Sequence, residues 1–237
     1  MGEPEVVVCA AMPRELRLLA RALRMRACPV GGLPAWRGRS VVAVAVGVGP
    51  ERAAAGTTQV LDALRARRVL VVGIAGAVDP ALEVGDIVRP EAVVDVRSAR
   101  VLIAARRGAP RSGVLATVDR VLLMGDGQVA IGSAPTLPDG TTAVDMETAA
   151  IAAVADARGV SWDVVRAISD VVGTLTPDVA ALLCPDGRVR HRAAARLLLS
   201  DPQAARRLVR LGVDTNRALR AMTGEVVREL AAEGLGP

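Results

Sequence analysis

Val69-Leu70-Val71-Val72-Gly73-Ile74-Ala75-Gly76 decides the fold. Four branched apolar residues in an unbroken row offer no polar face to water, which is the pattern of a strand covered on both sides, as in a buried parallel sheet. The row then gives way to small residues, so a tight strand-to-turn is expected at Gly73-Ile74-Ala75-Gly76. Small residues there let the backbone of Ala75 and Gly76 approach a flat ligand closely, although close packing alone would also call for them.

Working outward, Val41–Val46 is a second apolar strand that ends in Gly47-Val48-Gly49-Pro50 and leads into an alanine-rich helix, Glu51 to Leu64. Val6-Val7-Val8 is a third. It precedes Met12-Pro13-Arg14-Glu15, where Pro13 suits the first turn of an amphipathic helix reaching Leu23. Gly31-Gly32-Leu33-Pro34 marks a hairpin between them, and Gly85-Asp86-Ile87-Val88 begins a strand further on.

Helical spacing returns at Thr148–Ala157, strand character at Trp162–Ile168, and Ser200-Asp201-Pro202 restarts a helix in the alanine- and leucine-rich tail. From about Arg97 to Gly140 the pattern weakens into short apolar runs, Val101–Ile103 and Val121–Leu123, among Gly, Pro and Arg clusters. Strands alternating with helices predict an α/β three-layer sandwich around a central mixed, largely parallel twisted sheet. No repeat or low-complexity linker divides residues 1–237, so one domain is expected. Ligands in such folds collect where strands end.

Composition excludes several classes. The longest apolar runs fall far short of the roughly 20 residues needed to cross a bilayer, and Met1-Gly2-Glu3-Pro4-Glu5 lacks a basic leader region, so a soluble cytoplasmic chain is expected. Cys9, Cys28 and Cys184 have no metal-type spacing and their odd number argues against a disulfide framework; buried free thiols and no metal are expected. All 30 basic residues are arginine, and Phe and Tyr are absent, a compositional bias rather than the mark of one partner. A net charge of +5 would suit nucleic acid, yet single-strand readers stack bases on aromatic rings and only Trp36 and Trp162 are present. No nucleic-acid partner is expected. The arginine-rich stretches Arg97 to Arg120 and Arg188 to Arg210 are read as solvated faces.

Gly47-Val48-Gly49 is a glycine turn feeding a helix, but Arg52 stands where a dinucleotide fingerprint needs its third glycine, and the turn does not follow the first strand. What the turn offers is backbone N–H groups beside a helix N-terminus, a place for a small anion, a water or a ligand hydroxyl. More specific is the pair Asp145-Met146-Glu147 and Arg166-Ala167-Ile168-Ser169-Asp170, which sets carboxylates on either side of one helical crossover.

Taken in order, Ala11-Met12-Pro13-Arg14-Glu15, Gly47-Val48-Gly49-Pro50, Gly73-Ile74-Ala75-Gly76, Val84-Gly85-Asp86-Ile87-Val88, Val144-Asp145-Met146-Glu147-Thr148-Ala149-Ala150 and Val165-Arg166-Ala167-Ile168-Ser169-Asp170 resemble the nucleoside phosphorylase superfamily. Within it the chain is most similar to the nucleosidase branch, the methylthioadenosine/S-adenosylhomocysteine nucleosidases and the hopanoid-associated phosphorylase-like nucleosidases. The matched blocks run from about Val6 to Val172.

The resemblance implies that Asp170 protonates, or donates a hydrogen bond to, purine N7 as the glycosidic bond breaks, with Ser169 helping to orient it. That role needs a carboxyl that keeps its proton near neutral pH, which desolvation in a dry purine pocket can provide by raising the ordinary value of about 3.9 by up to ~3–5 units. It implies that Glu147 grips the ribose hydroxyls as the sugar gains cationic character, that Met146 packs beneath the ribose, and that Glu15 activates the attacking water on the far face. A structural surface glutamate is the alternative for Glu15. Gly47, Ala75 and Gly76 are carried over as substrate-binding positions. It also implies a small-molecule purine nucleoside as the ligand, a homodimer, and no metal or organic cofactor, with phosphate kept as a candidate co-substrate.

Four departures from the family pattern stand out. Ile74 stands where phosphorylases and many nucleosidases carry a serine that touches phosphate or water. Paired phosphate-binding arginines are not found at matching positions, although Arg14 or an arginine of Arg97–Arg111 would substitute; hydrolysis is therefore favoured over phosphorolysis. Around Thr117–Leu122 the family offers an aromatic ring to the purine face, and here Val121 or Leu122, or Trp162 from elsewhere, must serve. Asp145 replaces the glutamate usual in the methylthioadenosine branch and matches the hopanoid-associated form instead.

The tail from Asp178 through Leu211 is similar to the extension of those hopanoid-associated members, which are taken to remove adenine from a lipid-linked adenosine. A membrane surface is thus a partner only if the substrate is lipid-linked, with each nearby arginine adding roughly 1 kcal/mol of attraction to anionic lipid. A purine-binding protein in which catalysis has decayed is the reading from another class, and the retention of Glu15, Glu147 and Asp170 together argues against it.

Overall fold

The computed structural model of the chain describes residues 3–104, 113–119, 123–125, 128–130, 136–171 and 202–236. In chain order the strands are β1 (Val6–Ala10), β2 (Arg26–Ala27), β3 (Ala35–Arg37), β4 (Val41–Ala45), β5 (Arg68–Ala77), β6 (Ile87–Val88), β7 (Ala92–Asp95), β8 (Arg100–Leu102), β9 (Val114–Thr117), β10 (Leu123–Gly125), β11 (Gln128–Ala130), β12 (Thr141–Asp145) and β13 (Ser161–Asp170). Among the described residues the helices are α1 (Pro13–Ala22), α2 (Pro50–Ala63), α3 (Thr148–Ala157) and α4 (Pro202–Ala232). Pro13, Pro50 and Pro202 each open a helix, the place where a missing backbone N–H costs nothing.

Among the described residues eleven strands form one sheet in the order β2-β3-β4-β1-β5-β12-β9-β7-β8, with β13 paired to β5 and β6 paired antiparallel to β13. Pairing is parallel for β1 with β4 and β5, β5 with β13, and β9 with β7 and β12; it is antiparallel for β12 with β5 and in the flanking hairpins. The sheet is mixed and largely parallel at its centre, as the sequence implies. β10 and β11 form a separate pair.

Period-two alternation sorts the central strands onto two cores. Val7, Cys9, Val42, Val44, Val69, Val71, Val164 and Ile168 pack with Ala53 and Val60 of α2 and Ile151, Ala152 and Ala155 of α3. Val6, Val8, Val41, Ala43, Leu70, Val72, Val165 and Ala167 pack on the other side with Leu16 and Leu19 of α1 and Leu219, Met222, Val226 and Leu230 of α4. Helices on both faces complete a three-layer sandwich and explain why β5 shows no polar side in its first half.

Two expectations change. β5 does not turn at Gly73-Ile74-Ala75-Gly76; it runs on to Ala77, because β13 pairs with it along almost its whole length, from Arg68 to Gly76. Trp162 is no candidate for the purine face. It lies at the start of β13, 1% exposed in the core, with its indole N–H donated to Asp156 at 2.6 Å, and eight residues of strand separate it from Asp170. Extended at ~3.3 Å per residue, that is roughly 26 Å. Val121, Leu122 and Cys184 lie outside the described residues; Cys9 is a buried free thiol and Cys28 a half-buried one.

The pairing register has one consequence for function. β13 occupies one edge of β5, so β1 and β12 share the other: β1 takes Arg68–Val71 and β12 takes Gly76–Ala77. Between them the edge of β5 from Val72 to Ala75 has no neighbouring strand among the described residues. Such a change of partner is where a crevice opens in an α/β sheet.

Candidate active site

Glu15 enters that crevice from the first turn of α1. Its Oε2 accepts the Met12 N–H at 2.8 Å, the reach of a third-position glutamate back to the helix cap, and its Oε1 accepts the Ile74 N–H at 3.3 Å from the free edge of β5. The residue is 2% exposed, so it is not a surface glutamate. Burial raises its carboxyl pKa, and the nearby Arg166 guanidinium opposes the rise.

Arg166 crosses Gly73 from β13. Its Nη2 meets Asp145 Oδ2 at 2.5 Å and Thr148 Oγ1 at 2.7 Å, its Nε donates to Thr148 Oγ1 at 3.1 Å, and its Nη1 points to the Val72 and Ile74 carbonyls at 3.4 Å each. Only glycine fits beneath it: a Cβ on Gly73 would lie 2.1 Å from Nη1 and 2.8 Å from Glu15 Oε1. The Glu15 carboxyl and the Arg166 guanidinium therefore flank one backbone position without forming an ion pair.

Asp145, at the end of β12, is buried and accepts from four groups: Thr117 Oγ1 at 2.7 Å, Thr148 N at 2.8 Å, Thr148 Oγ1 and Arg166 Nη2 at 2.5 Å each, with a weaker fifth contact from Glu147 N at 3.3 Å. Glu147 caps α3 and accepts the Gly49 N–H at 2.9 Å. Desolvation, with the Asp145 charge beside it, pushes its pKa up to about 7 against the pull of Arg166 and Gly49. Met146, between the two carboxylates, is half-buried.

Asp170 ends β13 opposite Gly76, further along β5. Its Oδ1 accepts the Ser169 hydroxyl at 2.5 Å, and its Oδ2 lies 3.1 Å from where a Gly76 Cβ would be, so Gly76 leaves the carboxyl its room. A register shift between Ile168 and Asp170 brings the two together. Desolvation raises the Asp170 pKa, partly offset by the Ser169 hydrogen bond. Ala75 is buried and offers its carbonyl to Ser169 Oγ at 3.4 Å.

From Gly73 to Gly76 is three residues of strand, ~10 Å, about the length of a purine with its ribose. One end of this crevice holds two buried carboxyls, Glu15 and Glu147, and the buried Arg166 guanidinium; the other holds Asp170, whose pKa is raised by burial. Among the described residues no cluster of three His, Cys, Asp or Glu has the geometry of a metal site.

A family profile of the phosphorylase superfamily matches residues 5–123. This chain belongs to the phosphorylase superfamily. A curated relative, the 5′-methylthioadenosine/S-adenosylhomocysteine nucleosidase of Geobacillus kaustophilus, is 31% identical, with 71% of this chain and 85% of the relative aligned. Among solved structures, the 5′-methylthioadenosine/S-adenosylhomocysteine nucleosidase of Helicobacter pylori shares the fold at a TM-score of 0.70 and 16% identity, covering 98% of this chain and 100% of that one. Futalosine hydrolase of the same organism shares it at 0.61 and 18%, covering 89% and 98%.

Of the positions read from sequence, the structure brings Glu15, Glu147, Asp170, Ser169, Ala75 and Gly76 to this crevice, while Met146 is half-buried between Asp145 and Glu147. Gly47 is beside it, but its N–H is donated to the Ala11 carbonyl at 3.1 Å and Gly49 supplies the donor that meets a site residue. Sequence reasoning missed Arg166, Thr148 and Thr117. A signal for Arg166 existed: an arginine inside the apolar strand Trp162–Ile168 must be paired to be buried, and Asp145 is the acidic residue that answers it.

Proposed function

We propose that this chain is a purine nucleosidase that hydrolyses the N-ribosidic bond of a 5′-modified adenosine and releases adenine. The observation that carries the reading is the placement of two buried glutamates beside one cation at Gly73, with Asp170 in a proton-retaining setting at Gly76. In this reading water attacks C1′ while Glu15 takes its proton. The C1′–N9 bond breaks, its electron pair passes to the purine ring, and Asp170 gives a proton at N7, so adenine leaves neutral. Glu147 holds the ribose hydroxyls as positive charge builds on the sugar.

Hydrolysis is supported over phosphorolysis by two details. Ile74 has no hydroxyl for a phosphate, and its backbone N–H is already given to Glu15. Arg166, the cation of the site, is bound to Asp145 rather than free for an anion. The names of the curated relatives support a 5′-thio-substituted adenosine as the substrate class. A single domain, a cytoplasmic homodimer and the absence of a cofactor belong to the same proposal, and sizing of the purified chain tests the dimer.

Adenine release from methylthioadenosine, S-adenosylhomocysteine, adenosine and inosine, each with and without phosphate, tests the function beside an Asp170→Asn control. Release independent of phosphate and lost in the variant is expected. Release that requires phosphate would replace the nucleosidase by a phosphorylase, and no release from any of the four would point to a lipid-linked adenosine or a binding role.

A further inference from the structure

Asp145 lies behind the Gly73 end of the crevice, where it is bonded to the Arg166 guanidinium, and its side chain is as heavily bonded as that guanidinium. Its Oδ1 is fixed by Thr117, whose own hydroxyl accepts the Ala149 N–H at 3.0 Å, and its Oδ2 gathers the Thr148 backbone, the Thr148 hydroxyl and Arg166. Thr148 Oγ1 is at once a donor to Asp145 and an acceptor from two guanidinium nitrogens. Besides the arginine, this buried carboxylate thus accepts from Thr117 of β9 and from the backbone and hydroxyl of Thr148 of α3. Arg166 in turn is 1% exposed, and its ion pair is with Asp145, not with Glu15 or Glu147, although its charge acts on both.

We propose that Asp145 is a positioning residue: it holds the Arg166 guanidinium at Gly73, between Glu15 and Glu147, so that the cation serves both glutamates and is the ion-pair partner of neither. The proposal rests on the nucleosidase reading for its catalytic meaning, since a glutamate locked in a salt bridge is a poor acceptor for a water proton. Asp145 also adds a like charge beside Glu147.

The charged groups around the two glutamates are Glu15 and Arg14 on α1, Asp145 at the end of β12, Glu147 at the start of α3, and Arg166 and Asp170 on β13. Glu51 and Arg52, on the first turn of α2, are exposed to water. Removing the Asp145 charge therefore leaves Arg166 uncompensated among carboxyls. Both Glu15 and Glu147 then lose protons more easily, and both become weaker bases.

Asp145→Asn and Asp145→Glu, compared with the unsubstituted chain, test this by two readouts: the pH dependence of kcat and KM for adenine release, and carboxyl titration of 13C-labelled glutamates by NMR, which needs no turnover. In Asp145→Asn the acid-side midpoint and the Glu147 titration are expected to move down by about 1 unit or more, with kcat reduced at least ~10-fold and KM little changed. Asp145→Glu, which keeps the charge, is expected to return both midpoints toward the unsubstituted values. A folded Asp145→Asn protein with unmoved glutamate titration overturns the proposal. If that variant does not fold, Thr148→Val takes its place: it removes the hydroxyl joining carboxylate to guanidinium, and an unchanged kcat overturns the proposal. Shifted titration in a chain that releases no adenine would uphold the placement of Arg166 and reject the nucleosidase reading.

Discussion

Gly73→Ala places a single methyl group between the Glu15 carboxyl and the Arg166 guanidinium. The new Cβ would stand 2.1 Å from Arg166 Nη1 and 3.2 Å from its Cζ, so the guanidinium must withdraw by about 1.3 Å to reach ordinary contact at 3.4 Å. Glu15 Oε1, at 2.8 Å, must withdraw too. Neither is free to swing: Arg166 is bound to Asp145 and Thr148, and Glu15 to Met12 and Ile74. Overpacking a filled interior costs ~1–3 kcal/mol, and weakening one charge-assisted hydrogen bond adds ~1.5–3 kcal/mol. A loss of about 2.5–6 kcal/mol is expected, a fall in Tm of roughly 5–24 °C for a chain of this size. Displacement of reacting groups by ~1 Å lowers kcat by about 10²-fold. Thermal melts and adenine-release kinetics on folded protein measure both. Gly224→Ala is the control: it lies in α4 with nothing within 4 Å of its would-be Cβ, and should gain a few tenths to ~1 kcal/mol with activity unchanged. A Gly73→Ala protein that melts and turns over like the unsubstituted chain would refute the close approach described at this position.

Asp170→Asn should lower kcat by ~10²–10⁴-fold while substrate affinity changes little, and the unsubstituted enzyme should lose rate on the alkaline side as pH rises through the raised Asp170 pKa. Glu147 predicts a stability slope. Its folded pKa of about 7 exceeds the ordinary 4.5, so between those values the folded chain holds a proton the unfolded chain has released; the stabilisation is complete below about 4.5 and is lost as pH rises through about 7. Tm measured from pH 5 to pH 8 should fall, and Glu147→Gln should flatten part of that fall. Arg89→Ala should cost ~1.5–3 kcal/mol, read as a lower Tm, because Arg89 meets Glu225 at 3.0 Å, Glu229 at 2.5 Å and Asp163 at 3.8 Å beneath α4, while Glu229 keeps Arg68 and Glu225 keeps Arg228 after its loss.

Much of this architecture was legible because burial on both faces leaves an unmistakable pattern. Val69–Val72 and Val41–Val46 could only be central strands, and Thr148–Ala157 is helical between the bounds read from its spacing. The extent of β5 was not legible. Glycine at 73 and 76 suggests a turn, yet the long partner β13 keeps the chain extended through them, and the glycines serve side chains arriving from elsewhere. Local propensity carries no information about which side chain will cross a strand. For the same reason Glu15, Glu147 and Asp170 were identifiable from ordered motifs, whereas Thr117 and Thr148 were not: a threonine bonded to a buried aspartate looks like any other threonine until the pairing of β9 with β12 sets them side by side. Trp162 misled because an aromatic ring in a chain almost without them invites a ligand role, while its indole was needed to fill the core and to bond Asp156.

Why motifs so far apart in sequence meet at one place follows from the edge of β5. A strand has two edges, and β13 claims one of them whole; the other passes from β1 to β12 with Val72–Ala75 left over. The unpaired Ile74 N–H is what fixes Glu15, and the Val72 and Ile74 carbonyls face Arg166. Because β12 runs antiparallel to β5, pairing Val144 with Gly76, its continuation through Asp145 and Glu147 travels back toward Gly73 instead of away from it. A parallel β12 would carry Glu147 past Ala77 and out of reach of Gly49 and Arg166. The reversal of one strand is therefore what converts a gap in hydrogen bonding into a site with carboxyls at both ends. Any substitution that shifts the β5–β12 register should disable the chemistry before it unfolds the sheet.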